Sequence, residues 1–373
     1  MISNPLSITI ASLTAYPVLM DEPGVFGGAE LQTVRLARGL AGRGHRVTLV
    51  TLDPGKNKPM ERDGVRVIPA YGAVAGIPGL RFLHPRFSGL CRALGRAGGE
   101  VIVQRVAGAL TGQAAAYAVR RRVPFVHAVA SDADLDGTFE ARHNVRDRLL
   151  YHYGLSRAAA VVAQTEHQRR LHKAKTGREA IVIPSAIEAP VPAEERPAGR
   201  YVLWVGTVYP VKRPELLVAL AERAPDLRFV AVGRPGPGRY ARDWVARMEA
   251  TPNIDYLGPR PWSAMGELYR GAGALLNTSE FEGFSNTFLE AWRHRLPVCS
   301  VAADPDGLLQ YRGLGFLEPD SEALAGRLRS LVAEPALREE IGDRGAALVS
   351  EHYSSEAAVK AYEALFRSVL ARS

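Results

Sequence analysis

Twice along this chain, short runs of β-branched and apolar residues alternate with amphipathic stretches rich in Ala, Leu, Glu and Arg. In the first block the runs are SITIASL, RVTLVT, RVIPAY, VIVQR, PFVHAVA, AVVAQT and AIVIPS; in the second they are YVLWVGT, RFVAVG, IDYLG, GALLNTS, PVCSV and LGFLE. Strands separated by helices cannot pair as hairpins. They pair in parallel, with the helices covering both faces of the sheet. Two such blocks predict two doubly wound, Rossmann-like α/β domains. Between them, EAPVPAEERPAGR (residues 188–200) carries three prolines and no apolar period, and it reads as a linker and hinge.

A length of 373 residues suits this division, since one hydrophobic core rarely grows beyond about 250–300 residues. The expected domains are residues 1–190 and 191–353, followed by a Ser-capped amphipathic helix over 354–373. No stretch of about 18 apolar residues suggests a membrane span. The opening MISNPLSITIASL has no basic region ahead of its apolar run, so it reads as a first strand and not as a signal peptide. The two cysteines, Cys91 and Cys299, read as reduced thiols of a cytoplasmic protein.

The net charge of +8 is unevenly spread. Residues 1–190 hold 25 Lys and Arg against 15 Asp and Glu, whereas the remainder holds 22 against 24. A basic half facing an anion (phosphate, lipid head groups or nucleic acid) is one reading. Compositional drift is the other, because Arg outnumbers Lys 41 to 6. RFLHPRFSGLCRALGR (residues 81–96) has four arginines and no acidic residue. It suits either an anionic membrane surface or a solvated basic helix lying over the core.

In open parallel sheets, ligands bind beyond the carboxyl ends of the strands, so the loops there hold the candidate chemistry. FGGAE places Gly27 and Gly28 at a helix start, where backbone can approach a phosphate or simply flex. VGTVYPVKRPELL places Lys212 and Arg213 just ahead of a Pro-initiated helix, either as a phosphate site or as a solvated cationic pair. It is not a Walker loop. His127 lies in or at the end of a buried-looking strand, where a satisfied core histidine is the ordinary case. The following DADLDG resembles a calcium loop, but its twelfth position is His143 where a bidentate Glu is required. A metal-binding Asp-x-Asp for a nucleotide diphosphate is the weak reading that remains for that segment.

NTSEFEGFSNTFLEAW (residues 277–292) reads as strand, loop and helix. Thr287 with Glu290 fits a Ser/Thr-x-x-Glu capping box, and Glu282 fits a solvated loop carboxylate. Alternatively, amides of Gly283, Phe284, Ser285, Asn286 and Thr287 bind a diphosphate at the helix N-terminus. Glu290 then takes ribose hydroxyls and Glu282 the sugar.

Taken together, these motifs resemble the retaining nucleotide-sugar glycosyltransferases with twin Rossmann-like domains facing across a cleft (GT-B, glycosyltransferase family 4 type). The E-x7-E pattern from Glu282 to Glu290 follows GGAELQTVRLARGLAGRGHRVTLVT, VIPSAIE, VLWVGTVYPVKRPELLVAL, FVAVG and IDYLGPRP in the family's order, over nearly the whole chain. The resemblance implies transfer of a hexose from a nucleoside diphosphate sugar to a glycan or lipid-linked acceptor, with retention and without metal or cofactor. It assigns Lys212 and the Gly206 loop to the diphosphate, Glu290 to the ribose, and Glu282 and His127 to the transferred sugar. Gly27 and Gly28 would close over the donor phosphates. The resemblance gives the acceptor to the basic first domain, makes DADLDG an acceptor-side loop and has the helix over 354–373 cross back onto that domain. The expected enzyme is cytoplasmic with no nucleic-acid partner, and its basic first domain suits either peripheral contact with an anionic membrane or a solvated face. Thr207 stands where the family often has Arg, Lys212-Arg213 where it has Lys-Gly, and EGFS where it has EGFG. Arg213 is the candidate for the missing charge. An epimerase of the same shape, a non-catalytic nucleotide-sugar binder and a nucleic-acid-binding protein are the competing readings. No recognition helix, zinc finger or aromatic RNA platform is visible for the last.

Overall fold

The computed structural model describes residues 4–22, 27–55, 60–78, 80–280 and 282–372, so Phe26 of FGGAE and Phe281 of EFEGF lie outside the described residues. The chain divides into two compact units. One comprises Met1–Ala186 with Ser355–Ser373, and the other Ile187–Ser354.

Unit 1 is built on strands β1 (Ser7–Ala11), β2 (Arg46–Asp53), β3 (Met60–Arg62), β4 (Val65–Gly72), β5 (Val101–Arg105), β6 (Phe125–Ala128), β7 (Ala160–Ala163) and β8 (Ile181–Val182). Their spatial order is β3-β4-β2-β1-β5-β6-β7-β8. Every pairing is parallel except β3 against β4. The inner strands read as unbroken apolar runs because helices cover both faces, and β6 and β7 are buried at every position. The edge strand β3 was not expected. Its residues MER are half-buried or exposed and carry no apolar alternation, so hairpin pairing to β4 alone defines it.

The helix Ser355–Leu370 belongs to this unit. Val359, Tyr362, Leu365, Phe366 and Val369 enter the same core as Val34, Ala37 and Leu40 of the helix Gly28–Gly42. Beside this contact, Glu363 accepts from Arg43 at 2.9 Å.

Unit 2 contains β9 (Tyr201–Val205), β10 (Phe229–Val232), β11 (Ile254–Gly258), β12 (Ala272–Asn277), β13 (Val298–Ser300) and β14 (Gly315–Leu317). The order β11-β10-β9-β12-β13-β14 is parallel throughout. Successive strands run outward from β9 on one side and from β12 on the other. These two neighbours therefore flank the topological switch point, the place where open α/β sheets receive ligands.

Residues 188–200 are irregular, as the prolines require, but they are docked on unit 2. Val191 N–H donates to Arg293 O at 2.9 Å, Ala198 N–H to Arg270 O at 2.7 Å and Gly199 N–H to Ala272 O at 3.0 Å. Proline removes a donor without preventing the remaining amides from pairing. The segment is thus part of unit 2's wall and not a free tether.

Candidate functional site

Strand β9 ends at Val205 and the chain turns through Gly206–Tyr209 into the short 3₁₀ turn Pro210–Lys212. Arg213 takes a left-handed φ of 44° and launches the helix Pro214–Arg223. Neighbouring β12 ends at Asn277 and passes through residues 278–285 to the helix Asn286–Arg293. The two loops are bonded to each other. Glu280 N–H donates to Val211 O at 3.0 Å. Trp204 Nε1 donates to Thr278 Oγ1 at 2.9 Å, and Thr278 Oγ1 donates to Lys212 O at 2.5 Å. Arg213 closes the seam by donating to Thr278 O at 2.8 Å and Ser279 O at 3.2 Å. Its guanidinium is therefore spent on two strand-end carbonyls, a task at which a forked donor excels.

This seam brings Lys212 onto Glu282. Nζ lies 2.5 Å from Oε1, and the pair is partly buried, at 25% and 13% side-chain exposure. Asn277 Nδ2 at 3.1 Å and Ser279 Oγ at 2.7 Å donate to the same oxygen. Among the described residues no donor reaches Oε2. Asn277 is itself braced, accepting from Ser279 N–H at 3.2 Å and from Ser300 Oγ at 3.5 Å. Glu282 is thus an oriented carboxylate, which overturns its reading as a solvated loop residue.

Glu290 lies inside the helix and is 3% exposed. The capping-box reading is also corrected. The helix begins at Asn286 with Ser285 as its cap position, so Thr287 is already helical and cannot cap the N–H of Glu290. Ser285 Oγ instead pairs with Thr287 Oγ1 at 2.8 Å. Phe284 packs against Tyr353, ring centroids 5.1 Å apart, and fixes the turn that carries Gly283 and Ser285. The first N–H groups of such a helix lack intrahelical acceptors, which makes its N-terminus favourable to an anion. Gly206 N–H is tied to Val232 O at 3.0 Å, and Thr207 follows it half-buried in the loop.

In unit 1, the amide of Gly27 donates to Glu30 Oε2 at 2.8 Å, and Thr14 donates to Glu30 Oε1 at 2.6 Å. Gly28 opens the helix behind it. Glu30 therefore already supplies the anion that this helix N-terminus favours. His127 is completely buried in β6. It shares a 2.9 Å hydrogen bond with Gln104 through Nδ1 and meets Tyr151 edge-on at 5.7 Å. Its Nε2 finds no partner among the described residues. Burial, aided by the charges of His172 and Arg105 and opposed by Gln104, pushes its pKa down to about 3. The ring has no accessible surface, so contact with a sugar requires the end of β6 to rearrange.

The DADLDG carboxylates are occupied locally. Asp134 accepts from Ala130 N–H at 2.9 Å and Asp132 from Gln168 Nε2 at 3.0 Å. Burial raises the Asp134 pKa despite its hydrogen bonds to backbone amides and the charge of Lys175. Among the described residues no cluster of three His, Cys, Asp or Glu is arranged to hold a metal.

Sequence reading missed Asn277 and Ser279, whose only signal was a polar Asn-Thr-Ser triplet at the end of an apolar strand.

Two family descriptions match the chain in succession: "Glycosyl transferase 4-like domain" over residues 27–186 and "Glycosyl transferases group 1" over residues 186–347. The chain is 29% identical to a D-inositol 3-phosphate glycosyltransferase of Kineococcus radiotolerans, over 92% of this chain and 91% of that protein. Its fold matches a sucrose-phosphate synthase of Thermosynechococcus elongatus with a TM-score of 0.77, 21% identity and coverage of 98% and 99% of the two chains. It also matches Anabaena HepE, solved in complex with UDP-glucose, with a TM-score of 0.77, 17% identity and coverage of 97% and 100%.

Proposed function

This chain belongs to the GT-B glycosyltransferases of the family 4 type, and on that premise we propose that it transfers a hexosyl group from a nucleoside diphosphate sugar to a glycan or lipid-linked acceptor, with retention and without a metal. The observation that carries this reading is the braced Lys212–Glu282 pair at the switch point of unit 2, beside the N-terminus of the helix that holds Glu290.

In the proposed reaction, the bond between the anomeric carbon and the diphosphate breaks with its electron pair going to the leaving diphosphate. A bond to the acceptor oxygen forms, and the acceptor proton passes to a diphosphate oxygen. Lys212 opposes the charge that develops on the leaving group, as do the amides of Gly283–Thr287 and the Gly206–Thr207 loop. Preorganised donors of this kind lose no reorganisation energy during the reaction. Glu290 takes the ribose hydroxyls. Glu282 takes sugar hydroxyls through the oxygen that no described protein donor occupies. These groups supply the stabilisation a divalent cation would otherwise give, so turnover is expected to survive EDTA.

A panel of nucleoside diphosphate sugars, led by UDP-glucose, tests the proposal by thermal shift and by turnover. D-inositol 3-phosphate belongs among the acceptors, given the named activity of the curated relative. A donor should stabilise the wild type and not the Lys212→Ala, Glu290→Ala double variant. Equal shifts in both proteins defeat the reading. Product formed without any acceptor points instead to an epimerase.

A further inference from the structure

The chain from Ala73 to Phe87 is folded back on itself. Arg81 N–H donates to Ile77 O at 2.8 Å, Leu83 N–H to Leu80 O at 3.0 Å, and Arg86 to Ala73 O at 3.3 Å. Gly76, at φ 92°, lies directly against Arg81 and Pro85, where a side chain would clash. This held segment turns its aliphatic residues outward. Val74 is 91% exposed, Ile77 70%, Leu80 65% and Leu83 62%.

The start of the helix Val145–Arg157 adjoins it, with the Arg146 guanidinium 4.3 Å from the centre of the Phe82 ring. That helix adds Val145 and Leu149, each 65% exposed. Six of the eleven large exposed hydrophobic residues among the described residues therefore sit on these two neighbouring segments. Scattered single exposures are ordinary, whereas a concentration marks an interaction surface.

The surrounding charge is mostly positive. Arg81, Arg92, Arg142, Arg146 and Arg148 are exposed, and residues 73–96 contain no acid. Asp147, the carboxylate within the helix portion, is paired with Arg146 at 2.9 Å. By contrast, the apolar side of the helix Ser88–Ala97 faces inward, with Gly89, Leu90, Ala93 and Leu94 buried. The helix itself is thus the solvated basic cover of the core, and the available apolar surface lies just before it.

We propose that Val74, Ile77, Leu80, Leu83, Val145 and Leu149 form a peripheral docking surface that inserts into the interface of an anionic bilayer while the flanking arginines engage its phosphates. Aliphatic tips ringed by arginine match the two layers of such an interface, hydrocarbon below and anionic head groups above. A protein partner would have to present an apolar face with an acidic rim. A second copy of this surface would bring arginine against arginine. The surface lies within unit 1 and does not depend on the donor-site reading.

Sedimentation of the full chain with vesicles of phosphatidylcholine plus phosphatidylglycerol, against phosphatidylcholine alone, tests this. The wild type should bind the anionic vesicles. The Ile77→Ser, Leu80→Ser, Leu83→Ser variant should bind them more than about tenfold more weakly. An Arg81→Gln, Arg142→Gln, Arg148→Gln variant should lose the preference for anionic lipid. Because these side chains are exposed, both variants should keep the wild-type unfolding temperature and donor thermal shift, which separates loss of docking from loss of fold or donor site. Undiminished vesicle binding by the aliphatic variant overturns the proposal, as does a wild type that ignores both vesicles. So does a wild-type dimer that the aliphatic variant splits without any binding to lipid.

Discussion

Lys212 Nζ lies 2.5 Å from Glu282 Oε1, joining two residues 70 positions apart across the loops that follow β9 and β12. The cation proposed to hold a diphosphate is thus engaged by the carboxylate proposed to hold the sugar. A donor must draw Lys212 away from Glu282 or share it.

This competition predicts opposite responses to two substitutions. Lys212→Met should weaken binding of a nucleoside diphosphate by roughly 10–100-fold, the span expected for one charge-assisted hydrogen bond. Glu282→Gln should leave that affinity unchanged or improve it, because the lysine is released, while sugar transfer falls by at least tenfold. Calorimetric titration with UDP beside turnover measurements separates the two. Parallel losses of UDP affinity in both variants would contradict the competition.

Asn277 and Ser279 act on Glu282 without being placed on the substrate. Asn277→Asp preserves shape but sets an anion where a donor now lies 3.1 Å from Oε1. Turnover should drop by about 10–100-fold with UDP affinity nearly intact. Ser279→Ala removes one of three donors and should cost less. A kcat unchanged by Asn277→Asp would remove the positioning role.

The Gly206 loop at the switch point also depends on a glycine of the neighbouring strand end. A Cβ on Gly233 would fall well inside contact distance of the Gly206 carbonyl oxygen, a backbone atom that cannot rotate away. Gly233→Ala should therefore cost about 1–3 kcal/mol and lower the unfolding midpoint by roughly 3–10 °C. It should also shrink the donor-induced thermal shift. Calorimetry with and without UDP reads both effects, and a wild-type midpoint would contradict the steric argument.

His127 gives unit 1 an acid sensitivity. Its pKa is about 3 in the folded chain, against about 6.5 in an unfolded one. Between those values the unfolded state binds a proton that the folded state refuses, so this residue destabilises the fold as pH falls. Its contribution is neutral above about pH 6.5 and worsens by about 1.4 kcal/mol per pH unit down to about pH 3. His127→Gln should flatten the decline in stability across that window. Denaturant unfolding of both proteins at pH 7 and pH 5 measures the difference, and parallel declines would refute it.

Much of the architecture was legible because local pattern encodes burial. Unbroken apolar runs such as AVVA and FVAV belong to strands covered on both faces, and β7 and β10 are buried throughout. The edge strand β3 escaped because MER carries no such pattern. The glutamates of the E-x7-E motif could be found in the sequence, but their environments could not. Thr287 and Glu290 fit a capping box by spacing alone. Only the observed helix start at Asn286 excludes it, since capping depends on backbone conformation at one residue.

The amino-acid sequence by itself therefore determined the two α/β blocks, the order of their strands along the chain, and the loops in which the chemistry lies. Tertiary structure alone decided which loops meet. Placing β9 beside β12 brings Lys212 onto the same Glu282 oxygen that Asn277 and Ser279 hold from its own loop. It also decided that the apolar tips from Val74 to Leu83 stay outside while the helix after them turns its own inward. The physical reason is range. Periodicity reports which face of one element is buried, whereas hydrogen-bond partners and exposed patches depend on how distant elements register against each other.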